Sequence, residues 1–185
     1  MNQLFISIVG HNSTGKTTIA KRLEEDFGIS RVNGDDFRLF IYKHVKFFQN
    51  EKLGLPSHKN DILNQFIINY RIELAEIMLK EGASVSLDGT GATKAWRKRY
   101  MDKIKRDFHN VKRVIIYAQL DEQELLKRLS ERDRQNDTQI WTRHYLHLKK
   151  KLFEPPEPDE ADYLLIYNQH NYDEVKANLM VLFKD

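Results

Sequence analysis

Short runs of apolar residues alternate along the chain with longer segments in which apolar residues recur every three to four positions. The short runs are typical of strands that are buried on both faces. We predict five such strands, at residues 4–9, 30–33, 83–87, 113–118 and 163–167. The longer segments have the spacing of amphipathic helices. We predict helices at residues 17–26, 61–81, 93–108, 122–132, 138–152 and 172–183, with a further helical stretch after residue 36.

The helix predicted at residues 61–81 has the clearest helical pattern. Asp61 is placed to cap its first turn, and Gly82 is placed to end it. Residues 54–60 before it are expected to form a loop. One helix face collects the apolar residues Leu63, Phe66, Ile67, Tyr70, Leu74, Ile77 and Met78.

This alternation of strands and helices predicts an α/β protein. Strands that are separated by helices pair in parallel, through right-handed crossovers, and the helices cover both faces of the sheet. We find no repeat, low-complexity tract or linker, and we treat residues 1–185 as a single domain.

Composition and charge narrow the function classes. The chain has 31% charged and 41% hydrophobic residues, as expected for a globular protein with a well-solvated surface. The absence of cysteine excludes disulfides, thiolate metal sites and thiol catalysis. No apolar run approaches the length of a membrane span and no cleavable signal precedes the first strand, so we expect no membrane partner and a cytoplasmic location. The net charge of +3 is too small to demand a nucleic-acid partner.

The strongest motif lies between the first predicted strand and the first predicted helix. Residues 10–17 read Gly-His-Asn-Ser-Thr-Gly-Lys-Thr, which is the G-x-x-x-x-G-K-T phosphate loop. In such a loop the backbone N–H groups and the helix N-terminus surround a phosphate chain, the lysine reaches the terminal phosphates, and the threonine hydroxyl ligates Mg²⁺. We therefore expect ATP and Mg²⁺ as cofactors. The expected nucleotide-binding residues are Gly10, His11, Asn12, Ser13, Thr14, Gly15, Lys16, Thr17 and Thr18.

Two further loops at the carboxyl ends of predicted strands carry acidic residues. Ligands bind at that edge of a parallel sheet. Asp35 and Asp36 follow the second strand, where one carboxylate can accept a proton from an attacking hydroxyl while the other caps the next helix. Asp88 follows the third strand, where we expect it to hold Mg²⁺ together with Thr17.

A series of arginines follows the fourth strand. Arg128 and Arg132 are four residues apart, so they project from one helix face, and Arg134 follows them. The planar guanidinium suits the charge that develops on a transferred phosphoryl group. The alternative is an exposed face on which these arginines pair with Glu124 and Glu131.

These features together resemble the small phosphate-loop kinases, and most closely the kinase domain of phage-type polynucleotide kinases. The resemblance rests on the phosphate loop, on residues 32–38 (Val-Asn-Gly-Asp-Asp-Phe-Arg) and on residues 125–132 with Arg143 beyond them. Residues 80–90 are similar to a segment shared more widely among small ATP-dependent kinases. The resemblance to these kinases implies a three-layer αβα P-loop NTPase fold with sheet order 2-3-1-4-5 and an arginine lid at about residues 128–145.

The same resemblance implies roles for individual residues. Lys16 holds the donor phosphates, and Asp36 is the general base. Arg132 stabilises the transferring phosphoryl group, and Arg128 contacts the donor. The residues expected to contact the acceptor are Asp35, Arg38 and Arg97.

The sequence also departs from the polynucleotide kinases. Gly34 stands where a basic residue often precedes the two aspartates, and residues 40–60 have no matching segment. No phosphatase half is present. These differences leave the acceptor open.

A basic segment at residues 94–113 raises the possibility of a nucleic-acid acceptor. It contains nine lysines and arginines, with Trp96 and Tyr100 among them. Such a surface can follow a phosphate backbone and stack a base. Alternatively Trp96, Tyr100 and Ile104 face the core at helical spacing, and for the aromatic residues we favour this interpretation.

Two kinds of function are consistent with the sequence. One is an ATP-dependent kinase that phosphorylates a hydroxyl, foremost the 5′-hydroxyl of a nucleoside or polynucleotide, with a nucleotide or small metabolite as the alternative acceptor. The other is a regulatory ATPase that binds or hydrolyses the nucleotide. An aspartate placed to act on a hydroxyl favours the kinase, and the sequence has neither a guanine-specific Asn-Lys-x-Asp motif nor the helical lid domain of an AAA-type motor.

Overall fold

The structure is a computed structural model that describes residues 2–52, 57–135 and 140–184. Its centre is a five-stranded, all-parallel sheet with the strand order β2-β3-β1-β4-β5. The strands are β1 (Gln3–Val9), β2 (Ser30–Asn33), β3 (Val85–Asp88), β4 (Val111–Ala118) and β5 (Tyr163–Tyr167). The predicted parallel sheet and its strand order are confirmed.

Helices follow the strands as the hydrophobic pattern predicts. They are α1 (Lys16–Phe27), α2 (Gly34–His44), α3 (His58–Lys80), α4 (Lys94–Asp107), α5 (Glu122–Gln135), α6 (Ile140–Lys151) and α7 (Tyr172–Lys184). Short 3-10 helices occur at Lys46–Phe48 and Pro158–Glu160. Among the described residues no helix is both long enough and apolar enough to cross a bilayer.

Successive residues of β1 pack into two different cores. Ile6 and Ile8 face a cluster that contains Leu23 of α1 and Leu179 of α7. Phe5 faces the opposite cluster, which contains residues of α3 and α4 such as Leu79, Met101 and Ile104. Because a strand alternates its side chains between the two faces, this arrangement makes the three layers of the predicted αβα fold.

The beginning of α3 differs from the prediction. The helix begins at His58 rather than at residue 61, and its cap is Ser57, whose side chain accepts a hydrogen bond from the backbone N–H of Asn60 at 3.0 Å. Asp61 lies within the first turn instead. The predicted loop at 54–60 falls partly outside the described residues.

The helices of the expected lid, α5 and α6, pack through a small cluster of their own. It contains Leu125, Leu129 and Tyr145. Asp133 is buried near the end of α5 and accepts hydrogen bonds from the backbone N–H groups of Trp141 and Thr142, each at 2.9 Å. Of the predicted lid range 128–145, residues 136–139 lie outside the described residues.

Candidate active site

The phosphate loop connects β1 to α1 through backbone angles that favour glycine. Gly10, Gly15 and the non-glycine Ser13 all have positive φ. At Gly10, with φ of +149°, a Cβ would lie 2.4 Å from the carbonyl oxygen of Ala118, so no other residue fits there without a backbone shift. The Gly10 N–H donates to the Thr90 carbonyl at 3.2 Å, which joins the loop to the segment after β3.

Lys16 is the first residue of α1 and is 8% exposed. Its ammonium group donates to the His11 carbonyl at 2.5 Å, and so does the Thr14 hydroxyl at 2.8 Å. Burial lowers the pKa of Lys16 from 10.5 to about 8, against the opposing charges of Asp88 and Asp35. This desolvated cation is suited to bind phosphate oxygens.

Thr17 and Asp88 meet at the carboxyl edge of the sheet, as predicted. The Thr17 hydroxyl donates to Oδ2 of Asp88 at 2.8 Å. The same oxygen accepts a hydrogen bond from the Asn33 amide at 2.6 Å and lies 3.5 Å from a guanidinium nitrogen of Arg31. Asp88 is 4% exposed.

Mg²⁺ fits this pair of oxygen ligands. In phosphate-binding sites the ion keeps several waters and takes one or two carboxylates together with substrate phosphates. Within the described part of the chain, no cluster of three or more His, Cys, Asp or Glu side chains forms a fuller metal site. Thr17 and Asp88 are therefore the candidate ligands, with the phosphates completing the shell.

A cleft of about 510 Å³ opens over this edge of the sheet. Its volume lies within the range of small-molecule sites. The predicted site residues that line it are Asn12, Ser13, Gly15, Lys16, Thr17, Thr18, Asp35, Arg38, Asp88, Arg128 and Arg132. The predicted residues outside its lining are Gly10, His11, Thr14, Asp36 and Arg97.

The side chain of His11 packs against two aromatic rings and does not line the cleft. Its ring lies 4.8 Å from that of Tyr145 and 4.1 Å from that of Phe153, measured between centroids. Thr14 is 3% exposed and supports the loop through its hydrogen bond to His11. Both residues shape the phosphate loop, but their side chains do not face the ligand space.

Asp35 and Asp36 point in different directions. Asn33 caps α2, with its side-chain oxygen accepting from both aspartate N–H groups, at 2.7 and 3.1 Å. Asp35 lines the cleft, and its carboxylate accepts from Arg38 at 2.7 Å. Asp36 pairs instead with Arg31 and does not line the cleft. Adjacent helical residues project about 100° apart, so Asp35 can line the cleft while Asp36 does not.

Arg97, which the resemblance placed among the residues that contact the acceptor, does not line the cleft. Its side chain is fully buried and forms an ion pair with the equally buried Glu160, at 2.6 and 2.8 Å. Its remaining N–H groups donate to the carbonyls of Gly91, Glu154 and Pro155. With all five donors used inside the protein, Arg97 has a structural role.

Arg128 and Arg132 both line the cleft. Arg128 donates to Glu124 at 2.8 Å, which is the pairing considered as the alternative, and also contacts Gln169. The guanidinium of Arg132 lies over the Trp141 ring, 3.7 Å from its centroid. Arg134 is exposed at the end of α5. The pairing with Glu124 thus does not remove Arg128 from the ligand space.

The charges of the basic segment are largely used within the protein. Lys94 pairs with Glu157 and Asp159, Lys103 with Glu76, and Arg113 with Asp162. Arg106 pairs with the neighbouring Asp107. Tyr100 and Ile104 are buried and Trp96 is half-buried, as the core interpretation requires. Five of the nine cations, Lys94, Arg97, Lys103, Arg106 and Arg113, are thus paired with carboxylates, so the segment gives no support for a nucleic-acid partner.

Sequence analysis missed three residues near the site. Arg31 holds both Asp36 and Asp88. Trp96 lines the cleft although it also packs on the core. Arg71 lines the cleft from α3 and donates to the Asp88 carbonyl at 2.9 Å. Its position four residues after Ile67, within the apolar face of α3, was the available signal, because a charge on a buried helix face needs a partner.

Comparisons with known proteins identify the family and the fold. No curated protein matches the sequence. An inferred kinase from Chloroflexus aurantiacus matches in structure with a TM-score of 0.74 and 14% identity, over 99% of this chain and 97% of that one. Mycobacterium tuberculosis APS kinase, in complex with AMPPNP and APS, matches with a TM-score of 0.63 and 15% identity, over 100% and 99% of the two chains. A sugar kinase from Janibacter sp. HTCC2649 matches with a TM-score of 0.65 and 15% identity, over 98% and 95%.

At these identities the structural matches show a shared fold, which is the three-layer P-loop fold. The family model described as "AAA domain" matches residues 5–156, which include the phosphate loop, both acidic loops and the arginine series. This chain therefore belongs to the AAA domain family AAA_33.

Proposed function

We propose that this protein is an ATP-dependent phosphotransferase that moves the γ-phosphoryl group to a hydroxyl. The proposal rests on the lining of the cleft. The phosphate-loop Lys16, the hydrogen-bonded Thr17–Asp88 pair and Asp35 all line this one cleft. A nucleotide-binding switch needs the first two features. It does not need a carboxylate placed to accept a proton from an alcohol.

The residues divide into a donor set and an acceptor set. Lys16 and the loop N–H groups bind the donor phosphates, and Thr17 and Asp88 would hold Mg²⁺, which would neutralise charge on those phosphates. Arg132 lines the same cleft and stabilises negative charge on the phosphoryl group in transit. Arg128 contacts the donor. Catalysis then consists of positioning and charge stabilisation for an in-line displacement.

Asp35 accepts the proton of the attacking hydroxyl. It lines the cleft, whereas Asp36, to which the resemblance assigned this role, is held by Arg31 beside it. Arg38 keeps the Asp35 carboxylate in place. A carboxylate that is held in place in the cleft that also contains Lys16 is suited to act as a general base.

The comparisons support a kinase. Three structural neighbours are described as kinases, one of them bound to AMPPNP, an ATP analogue. For the acceptor we propose a small alcohol, with a nucleoside 5′-hydroxyl as the first candidate because of the resemblance of residues 32–38 to the polynucleotide kinases. The internally paired basic segment argues against a long polynucleotide.

The test is a labelled-ATP transfer screen over oligonucleotides, nucleosides, nucleoside monophosphates and polyols. Once an acceptor is found, Asp35→Asn is compared with Asp36→Asn, its matched neighbour that also pairs with an arginine. Loss of a general base lowers kcat by about 10² to 10⁴-fold. We expect that loss in Asp35→Asn, with ATP affinity retained, and a change of at most about threefold in Asp36→Asn.

Two results would contradict the proposal. ATP binding and hydrolysis without transfer to any acceptor class would favour a regulatory ATPase. The full loss of kcat in Asp36→Asn with little change in Asp35→Asn would return the base to Asp36.

A further inference from the structure

Large apolar side chains are exposed together on the surface of α2 and α3. They are Leu39 and Phe40 of α2 and Ile62 and Phe66 of α3, and each is between 47% and 56% exposed. Ile62 lies one helix turn before Phe66, on the same face of α3. The partly buried Phe37 connects the two helices, because its ring lies 6.4 Å from that of Phe40 and 6.2 Å from that of Phe66, measured between centroids. These five residues form the α2–α3 patch.

The patch is large for a surface that contacts only water. Side chains of this size have roughly 150–200 Å² of surface, so the four that are half exposed present about 350–400 Å² of apolar surface. The largest patch on a typical monomer has a similar area and often has a function. The described lining of the cleft includes none of the five patch residues, so the proposed substrates do not account for the patch.

The area of the patch suits an interface between two protein surfaces. A standard interface buries about 800 Å² on each partner, and about 65% of a homodimer interface is apolar. Such an interface therefore needs roughly 500 Å² of apolar surface on each copy. The four exposed side chains supply most of this area. The partly buried ring of Tyr70 lies beside them, 4.4 Å from that of Phe37.

Charges on the same face of α2 make this face complementary to a copy of itself. Asp36 lies three residues before Leu39, and Lys43 lies three residues after Phe40. All four side chains are exposed, and at 3.6 residues per turn they share one side of the helix. The face is thus acidic at one end, apolar at its centre and basic at the other end.

A two-fold axis between Leu39 and Phe40, at right angles to α2, makes the α2 helices of two copies antiparallel. Leu39 and Phe40 of both copies then meet at the centre, and Asp36 of each copy meets Lys43 of the other. Asp36 also pairs with Arg31 of its own chain through Oδ2. A carboxylate has two acceptor oxygens, so it can bind both cations at once.

We propose that the α2–α3 patch is the interface of a symmetric homodimer, in which α2 packs antiparallel against α2 of a second copy. In such a contact each copy contributes the same residues, so the assembly closes at two chains. Ile62 and Phe66 extend the apolar centre along one side of the paired α2 helices. The inference does not depend on the proposed phosphotransferase function.

A single-stranded nucleic acid is the alternative occupant of an exposed aromatic surface. The charges of the patch disfavour it. Asp36 shares its helix face with Leu39 and Phe40, and Asp61 directly precedes Ile62. Both carboxylates are exposed and would repel a phosphate backbone. Leu39 and Ile62 also have no ring on which a base could stack.

Sedimentation velocity of the full chain tests the dimer. We expect a species of twice the 22.0 kDa chain mass, with a dissociation constant of about 10 µM or lower. Phe40→Glu places a carboxylate from each copy at the apolar centre, so it should raise this constant at least about 30-fold. Val181→Glu changes a side chain of matching exposure, 55%, on α7 at the opposite face of the sheet, and should leave the constant unchanged. A wild type that stays monomeric up to about 200 µM, or equal effects of the two variants, overturns the proposal.

A charge exchange tests the antiparallel arrangement, also in the event that Phe40→Glu does not fold. Asp36→Lys and Lys43→Asp each bring like charges together at both ends of the contact, so each should raise the dissociation constant by about fivefold or more. The double variant should return to within about threefold of the wild type. Asp36→Lys and the double variant both lack the pair with Arg31, so their comparison isolates the contact between copies. A double variant that dimerises as weakly as Asp36→Lys overturns the proposal.

The absence of cysteine allows a direct test of which residues meet. A short bis-maleimide should link two copies of Leu39→Cys rapidly, because the two-fold axis brings position 39 of both copies together. In Lys43→Cys the two thiols lie seven residues apart along the paired helices, about 10 Å, so linkage should be slower. Linkage of Lys43→Cys that is as fast as that of Leu39→Cys overturns the antiparallel arrangement and with it the proposal.

Fluorescence anisotropy with a labelled single-stranded oligonucleotide tests the alternative occupant. We expect the wild type and Phe40→Glu to give the same anisotropy. Oligonucleotide binding by the wild type that is lost in Phe40→Glu would assign the patch to nucleic acid and overturn the homodimer.

Discussion

Because the ammonium group of Lys16 is buried, we predict that ATP affinity falls as the pH rises above about 8. Burial lowers the pKa of Lys16 from 10.5 to about 8. This decrease corresponds to roughly 3 kcal/mol in favour of the neutral amine. Phosphate oxygens stabilise the ammonium form, so the bound nucleotide raises this pKa again and binding takes up a proton above pH 8.

The magnitude follows from the free-protein pKa. If ATP binds the protonated form, the apparent dissociation constant rises by about twofold at pH 8 and about tenfold at pH 9, relative to pH 7. ATP itself changes its charge at lower pH, so this window reports the protein. Isothermal titration calorimetry at constant Mg²⁺ and ionic strength, without an acceptor, measures the affinity at each pH.

Lys16→Met is the matched variant because it keeps much of the side-chain volume and cannot ionise. It should bind ATP weakly and with no such rise between pH 7 and 9. A flat profile in the wild type, or the same rise in Lys16→Met, would refute the assignment of Lys16 as the titrating contact.

The lowered pKa of Lys16 also makes the free energy of unfolding depend on pH. Between pH 8 and 10.5 the unfolded chain holds a proton on Lys16 that the folded protein has released. The free energy of unfolding therefore rises with pH across that window, because the cost of burying the Lys16 ammonium is fully present below pH 8 and is lost above pH 10.5.

Two further predictions concern residues that hold the site in place, namely the buried Arg97–Glu160 ion pair and Gly10 of the phosphate loop. Glu160→Gln leaves the buried Arg97 without its counter-charge and should lower the free energy of unfolding by about 3 kcal/mol, seen as a fall in melting temperature of roughly 10 °C. Gly10→Ala places a Cβ 2.4 Å from the Ala118 carbonyl oxygen. It should distort the phosphate loop, lower the free energy of unfolding by more than about 2 kcal/mol and abolish ATP binding in calorimetry.

Each of these variants has a control in the chain. Asp159→Asn removes an exposed ion pair with Lys94 and should change stability by less than about 1 kcal/mol. Gly28 also has a positive φ, but no atom lies within 4 Å of an added Cβ. The Gly28→Ala protein should therefore lose about 1 kcal/mol in the free energy of unfolding and keep ATP binding. Equal losses in a variant and its control would show that burial or crowding at the site is not the cause.

The donor half of the site was predictable because it is local in the sequence. A phosphate loop needs glycines, a lysine and a threonine at set spacing between a strand and a helix, and residues 4–26 contain all of these. The sheet order was equally accessible, since the resemblance implied it and short apolar runs separated by helical segments leave few topologies for a parallel sheet. Asp88 followed as well, because the carboxyl end of a central strand lies next to the loop.

The acceptor half required the tertiary structure. Asp35 and Asp36 are neighbours with the same chemistry, and only the orientation of α2, set by the Asn33 cap, turns one into the cleft and the other toward Arg31. The resemblance to the small ATP-dependent kinases placed Arg97 among the residues that bind the acceptor.

The residue that decides the role of Arg97, Glu160, is 63 positions away and reaches it only when the chain has folded.

Arg71 shows the same limit. Its position in the cleft depends on the space left by two glycines, Gly34 and Gly89, that follow different strands. The sequence by itself thus determined the elements, their order and the phosphate loop, because short-range spacing and periodicity encode them. The tertiary structure decided which charged side chains face the cleft, because burial and partner choice depend on residues that are distant along the chain.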